Sequence, residues 1–130
     1  EEILGHEITF ATGIPPWEVG DILRQNPGIL LGPSKETEGF GLPPLEAMAC
    51  GVPTVITRTP GFLSFDDKHD YALFSDVGNA QEMTEGIVKV VRDDKLRVRL
   101  IKRGIQVAGY FTHQKVAENL KMVFNKYLQG

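Results

Sequence analysis

Apolar residues follow two different spacings at the start of the chain. His6 to Ala11 is a run of mostly β-prone residues closed by Gly13, which is typical of a strand followed by a turn. Behind Pro15-Pro16, four apolar side chains recur at helical spacing: Trp17, Val19, Ile22 and Leu23. We expect a first strand at 6–11, a turn at Gly13 and a short amphipathic helix after it, with Trp17 packed against the core.

Two later runs are continuously apolar, which is typical of strands covered on both faces of a parallel sheet. They are Gly28 to Gly32 and Pro53 to Thr57. A helix is predicted between them at Leu45 to Cys50, because Pro43-Pro44 is compatible with its first turn and Gly51 is placed as its C-terminal cap. The middle of the chain therefore predicts a strand, a helix and a second strand.

The second half of the chain is predicted to be mostly helical. A last short strand is expected at Tyr71 to Phe74, and helical spacing continues after Asn79, with Thr112 as a candidate N-cap of the final helix. The apolar positions of these helices are Ala80, Met83, Ile87 and Val90, then Leu96, Leu100 and Val107, then Val116, Leu120, Val123 and Tyr127. Alternating strands and helices predict one α/β domain over residues 1–130 with a parallel sheet, whose ligands bind beyond the carboxyl ends of the strands.

The composition argues against several classes of function. The 130 residues carry a net charge of −3, whereas nucleic-acid-binding domains usually carry clustered basic residues. No apolar run approaches the roughly 20 residues that a membrane span requires. The single cysteine cannot form an internal disulfide, and no Cys/His cluster has the spacing of a zinc site. The Glu-Glu start is not a secretory signal, so we expect a cytoplasmic protein.

The clearest chemical signal is a glycine-containing turn before the predicted middle helix. Gly39 and Gly41 permit unusual backbone dihedrals and a close approach to a ligand, and the helix behind them offers unpaired N–H groups to an anion. Because Pro43-Pro44 has no N–H groups, the expected donors are the amides of Phe40, Gly41 and Leu42. The turn therefore predicts a phosphate site, and a purely structural glycine turn is the alternative.

Two carboxylates lie on either side of this turn, Glu38 before it and Glu46 within the helix. Both would repel a phosphate if they faced it, so we expect them to accept hydrogen bonds from hydroxyl groups at the two ends of the ligand. A ligand with hydroxyls, phosphates and further hydroxyls is a nucleotide sugar.

Residues 38–55, from Glu38 through Glu46 to Val55, closely resemble the Glu-x7-Glu signature of retaining GT-B glycosyltransferases of the group 1, or family 4, type. The likeness extends over nearly the whole chain, and includes Gly13, Pro33-Ser34, Pro60-Gly61 and Phe111-Thr112. The resemblance implies a Rossmann-like parallel sheet flanked by helices, as a partial C-terminal, donor-binding domain of a GT-B fold.

The same resemblance implies a role for each matching residue. Glu38 would contact hydroxyls of the transferred sugar as the catalytic candidate, and Glu46 would hold the ribose hydroxyls. Amides would be offered to the sugar and the diphosphate by Gly39, Phe40, Gly41 and Leu42, with Ser34 beside them. Gly13 would lie in the turn that runs next to the nucleobase. The implied reaction is hexosyl transfer from a nucleoside-diphosphate sugar to an acceptor, a glycan or a lipid-linked glycan, with retained configuration and without a metal or cofactor.

Some features of the family are not recognisable before His6, namely two strands, a glycine-containing loop and an Arg/Lys pair, and the resemblance does not extend to the family's acceptor-binding N-terminal domain. The loss of one preorganised positive group that stabilises a developing anion costs about 3 kcal/mol. We therefore expect the isolated chain to bind donor weakly and to transfer nothing. The first strand would lack a neighbour, and we expect it to rearrange or to pair with a second copy of the chain.

Several alternatives stay open at this stage. A non-catalytic nucleotide- or sugar-phosphate-binding module of the same fold would use the same cleft, and another GT-B enzyme such as a phosphorylase or an epimerase is a third class. The basic stripe Lys95, Arg99, Lys102 and Arg103 is a solvated face or a contact with anionic lipid at the inner membrane face. Many relatives have a glutamate after Pro60-Gly61, where this chain has Phe-Leu-Ser-Phe-Asp-Asp at 62–67, so the resemblance does not imply a donor contact there.

Overall fold

A computed structural model describes residues 2–3, 5–7, 9–25, 28–37 and 39–128. Its elements in chain order are β1 (Glu2–Ile3), β2 (His6–Glu7), α1 (Pro16–Gln25), β3 (Leu30–Gly32), α2 (Leu42–Ala49), β4 (Thr54–Thr57), α3 (Pro60–Leu63), β5 (Leu73–Ser75), α4 (Ala80–Arg92), α5 (Asp94–Ala108), a 3₁₀ turn (Gly109–Phe111) and α6 (His113–Leu128). No helix of the described residues is long and apolar enough to cross a membrane.

The centre of the molecule is a parallel sheet of three strands in the order β3-β4-β5. All residues of the middle strand β4 are buried, since helices cover both of its faces. Ile56 faces a cluster with Leu45 and Met48 of α2, whereas Val55 faces a cluster with Val90 of α4 and Leu100 of α5. The predicted α/β fold with a parallel, Rossmann-like sheet is confirmed, as are its strands near 28–32, 53–57 and 71–74.

The prediction of a first strand at 6–11 is wrong. Of the described residues of this segment, only His6–Glu7 form a strand, and it pairs antiparallel with Glu2–Ile3 in a separate two-stranded sheet. Ile8 lies outside the described residues. A parallel strand needs a distant partner, whereas Gly5, with φ of +77°, permits a local turn that pairs the two short strands. The described edge strand beside β4 is therefore β3, where Leu31 is exposed instead of covered.

Helix α1 confirms the predicted helix, but the predicted packing of Trp17 is wrong, because this side chain is 74% exposed. The helix meets the end of α2 through its later residues. The Sγ atom of Cys50 lies 3.8 Å from the Gly20 carbonyl oxygen and 3.8 Å from Arg24 Nη1. Contact at this end leaves the first turn of α1, with Trp17, in solvent.

The long helices after residue 79 are confirmed, but the last one differs from its predecessors in packing. Val90, Leu100 and Val107 of α4 and α5 are buried as predicted. Helix α6 begins after Thr112, whose hydroxyl accepts a hydrogen bond of 3.2 Å from the Lys115 amide, as an N-cap does. The predicted apolar positions of α6 are each at least 47% exposed: Val116, Leu120, Val123 and Tyr127.

Arg103 does not belong to an exposed basic stripe, because its side chain is only 12% exposed. Its Nη2 lies 2.5 Å from the Asp66 carboxylate and its Nε lies 2.6 Å from that of Asp70. The guanidinium thereby ties α5 to the segment before β5. Lys95, Arg99 and Lys102 are exposed.

Replacing Arg103 by alanine is expected to lower the free energy of unfolding by about 2–3 kcal/mol, because it leaves the largely buried Asp66 carboxylate without its charged donor. Urea denaturation measures the change. Lys115→Ala is the control, since the Lys115–Glu118 pair within α6 is exposed and its loss should change stability far less. Equal losses in the two variants would contradict this assignment.

Tyr71 makes the free energy of unfolding depend on pH in the alkaline range. Its buried hydroxyl donates a hydrogen bond to the Phe62 carbonyl, and burial raises the pKa of Tyr71 from 10 to about 12. The folded state holds this proton more tightly, so the associated stability is complete below pH 10 and is lost as the pH rises towards 12, by up to about 1.4 kcal/mol per pH unit. Denaturation of Tyr71→Phe, measured over the same range, should show a shallower decline, and an unchanged slope would refute the assignment.

Candidate functional site

The segment that follows β3 is held at its start by a residue of the neighbouring strand. The hydroxyl of Thr57, at the carboxyl end of β4, is 2.8 Å from the Ser34 carbonyl oxygen and 3.3 Å from that of Gly32. The Ser34 amide donates to the Gly32 carbonyl at 2.9 Å. Ser34 therefore lies at the carboxyl edge of the sheet, where the sequence predicts a ligand. Thr57 lies within the strand predicted at 53–57, but no pattern in the sequence indicated that its hydroxyl holds this segment.

Helix α2 begins next to this edge with an unusual N-terminus. Gly41 is its N-cap in the left-handed region, with φ of +79°. Among the first three helical residues, Leu42 supplies the only N–H group, because Pro43 and Pro44 have none. No acidic residue lies in the first turn, so no carboxylate of that turn opposes an anion at this positive end of the helix.

The two glycines of the turn have different structural roles. A Cβ atom on Gly41 would lie 2.2 Å from Phe62 Cε1, so both the positive φ and the lack of space require glycine there. Gly39 has no positive φ, and nothing lies within 4 Å of an added Cβ. The predicted unusual dihedral is confirmed at Gly41 and is wrong at Gly39, whose neighbourhood is open. Residues 39–41 are called the glycine loop below.

Phe62 supports the glycine loop from the core side, and its place is fixed by neighbours in sequence and in space. Helix α3, which no sequence pattern predicted, begins at Pro60, and the hydroxyl of its N-cap Thr59 accepts a hydrogen bond of 3.3 Å from the Phe62 amide. The buried ring fills the space beneath Gly41. Phe62 is therefore a packing residue of the site, and no local signal in the sequence indicated its contact with Gly41.

Of the two predicted glutamates, the structure describes Glu46 but not Glu38. Glu46 is exposed on α2 one turn after Leu42, so both lie on the solvent face of the helix, away from the buried Pro44, Ala47 and Met48. Glu38, the predicted catalytic residue, lies outside the described residues. Its role stays a prediction.

Two clefts flank the end of β3, one on each face of the sheet. A cleft of about 220 Å³ lies beside α2 and is lined by Ser34, Pro43, Pro44 and Phe62. A second, of about 430 Å³, lies towards α4, and its lining includes Ser34, Lys35 and Asn79. Gly13 has φ of +66°, which confirms the predicted turn before α1, and its contact with a nucleobase stays a prediction. The described residues include no group of three or more acidic, His or Cys side chains placed to hold a metal ion.

A family model described as "Glycosyl transferases group 1" matches residues 1–107. The chain belongs to the group 1 glycosyltransferases. The resemblance found in residues 38–55 is thereby confirmed.

Curated relatives in the family align with most of this chain but with a small part of their own length. D-inositol 3-phosphate glycosyltransferase of Corynebacterium jeikeium is 33% identical over 92% of this chain and 28% of its own. The N,N'-diacetylbacillosaminyl-diphospho-undecaprenol alpha-1,3-N-acetylgalactosaminyltransferase of Campylobacter jejuni is 29% identical over 83% and 28%. The N-acetyl-alpha-D-glucosaminyl L-malate synthase of Bacillus anthracis is 28% identical over 85% and 29%. The chain thus spans less than a third of the length of these relatives.

Replacing Gly41 by alanine is expected to lower the free energy of unfolding by about 2–4 kcal/mol, since the new Cβ must displace Phe62 and the left-handed conformation is strained. Gly39→Ala is the matched control, with an expected change within about 0.5 kcal/mol because its surroundings are open. Urea denaturation compares the two variants. Similar stabilities would show that the contact with Phe62 does not determine the fold of the glycine loop.

Proposed function

We propose that this chain is the donor-binding part of a retaining glycosyltransferase, which transfers a hexosyl group from a nucleoside-diphosphate sugar to an acceptor. Membership of the group 1 glycosyltransferases supports sugar transfer as the general reaction. The observation that carries the donor site is the start of α2, where the glycine loop meets a helix N-terminus at the carboxyl edge of the sheet. Residues 1–130 act as one domain in this proposal.

The diphosphate of the donor would lie against the glycine loop. The amides of Phe40, Gly41 and Leu42 are the proposed donors of hydrogen bonds, and the dipole of α2 adds a favourable field for negative charge. Stabilisation of the leaving diphosphate by protein groups of this kind requires no metal ion, and we propose a reaction without a metal or a cofactor.

Glu46 is proposed to accept hydrogen bonds from the ribose hydroxyls. Support comes from its exposure on the same face of α2 as Leu42, one turn from the proposed phosphate site. Glu38 is proposed to contact the transferred sugar on the strength of the family signature alone. Ser34 and Gly13 are proposed as further donor contacts.

The acceptor is proposed to be a glycan or a lipid-linked glycan. The relatives named above act, by their names, on acceptors as different as an inositol phosphate and a diphospho-undecaprenol-linked sugar, yet each aligns with this chain. Such variety supports a donor-binding part whose partner region chooses the acceptor. We place the reaction in the cytoplasm, with peripheral contact at the inner membrane face for a lipid-linked acceptor.

An amide NMR titration of the chain with UDP, GDP and their sugar conjugates tests the proposal. We expect one nucleotide to shift the signals of residues 39–46. Glu46→Gln should weaken that binding roughly tenfold to a hundredfold, because it removes a charged acceptor of hydrogen bonds without changing shape.

Glu36→Gln is the matched control, since it removes the same charge from an exposed residue of the segment before the glycine loop. It should leave the affinity unchanged. No shift at millimolar ligand in a folded sample, or an equal loss in the two variants, would contradict the proposed donor site.

A further inference from the structure

The ring of Phe40 turns from the glycine loop towards two aromatic residues that are distant in sequence. Its centroid lies 5.3 Å from that of Phe65 and 5.3 Å from that of Phe111, and both contacts are edge-to-face. Phe65 and Phe111 are themselves 5.8 Å apart in the same kind of contact. The three rings therefore close a triangle next to the proposed donor site. Phe40 remains 44% exposed, so the triangle lies at the surface of the core.

The two partners of Phe40 come from different parts of the fold. Phe65 follows α3, is almost fully buried, and lies 5.8 Å from the Tyr71 ring. Phe111 ends the 3₁₀ turn between α5 and α6. The triangle thus joins the glycine loop to the buried core and to the junction of the last two long helices.

Edge-to-face contacts fix orientation more strictly than general apolar burial does, because the positive edge of one ring must meet the negative face of another. Gly39 and Gly41 carry no side chains, so the Phe40 ring is the one side chain of the glycine loop that can set its orientation. Gly41 is additionally held by its contact with Phe62, whereas Gly39 has open space around it. The orientation of the amides at the start of the loop therefore depends on Phe40 and its partners.

We propose that Phe65 and Phe111 are positioning residues of the donor site, which act through Phe40 to hold the amides of the glycine loop in place for a diphosphate. For its ligand this inference rests on the proposed function. The orientation of the loop is a separate property that is measurable without any ligand.

The test compares Phe111→Leu, which keeps most of the apolar volume, with Phe111→Tyr, which keeps the ring. Phe74→Leu is the matched control, because Phe74 makes edge-to-face contacts with Tyr71 and His69 instead of with Phe40. We expect Phe111→Leu to shift the amide signals of Gly39 and Gly41 in the ligand-free protein and to weaken nucleotide binding about tenfold. Phe111→Tyr and Phe74→Leu should leave the loop signals and the affinity unchanged.

Unchanged loop signals in Phe111→Leu, or equal shifts in Phe74→Leu, would overturn the proposal. If the wild-type chain binds no nucleotide, the proposed function fails, while the loop signals still decide whether Phe111 positions the loop. Phe40→Leu is a second variant that tests the same proposal, at a side chain that is half exposed. It should reproduce the shift at Gly39, and adding Phe111→Leu to it should cause no further change there, since the contact is already lost.

Discussion

The contact between Gly41 and the Phe62 ring determines where the candidate site lies relative to the core. A helix whose N-cap carried any side chain could not approach this ring so closely, since an added Cβ would lie 2.2 Å from it. Phe62 in turn is fixed by the Thr59 cap of α3 and by the Tyr71 hydroxyl on its carbonyl. The position of the start of α2 is therefore determined by the close packing of Gly41 on a buried ring.

The other end of α2 is also placed by a glycine packed against a side chain, but here the glycine belongs to the neighbouring helix and the side chain to α2. Gly104 of α5 faces Met48, and a Cβ there would lie 3.0 Å from Met48 Cγ. A glycine in α5 lets the two helices approach closely, at the cost of about 1 kcal/mol in helix propensity relative to alanine. With Gly41 against Phe62 at one end and Met48 against Gly104 at the other, α2 has little freedom to shift.

Sequence patterns predicted the middle of this fold well because its signals are local. Proline in the first turn and Gly51 at the end delimit α2, and the apolar runs on either side become β3 and β4. The prediction of the first strand was wrong because a parallel strand depends on partners distant in sequence, and the local pairing through the turn at Gly5 replaces them. Phe62 and Phe111 carry no local sign of their contacts with the glycine loop, since those contacts join segments far apart in the chain.

Helix α2 divides its residues between stability and recognition. Pro44, Leu45 and Met48 are buried and hold the helix on the sheet, whereas Leu42 and Glu46 are exposed on the other face. Substitutions on the exposed face can therefore change ligand contacts without a loss of packing, while those on the buried face must change both. The glycine loop lies where the two faces meet, because Gly41 is buried and Phe40 is half exposed. This is the position at which packing in the core can set the geometry of a surface site.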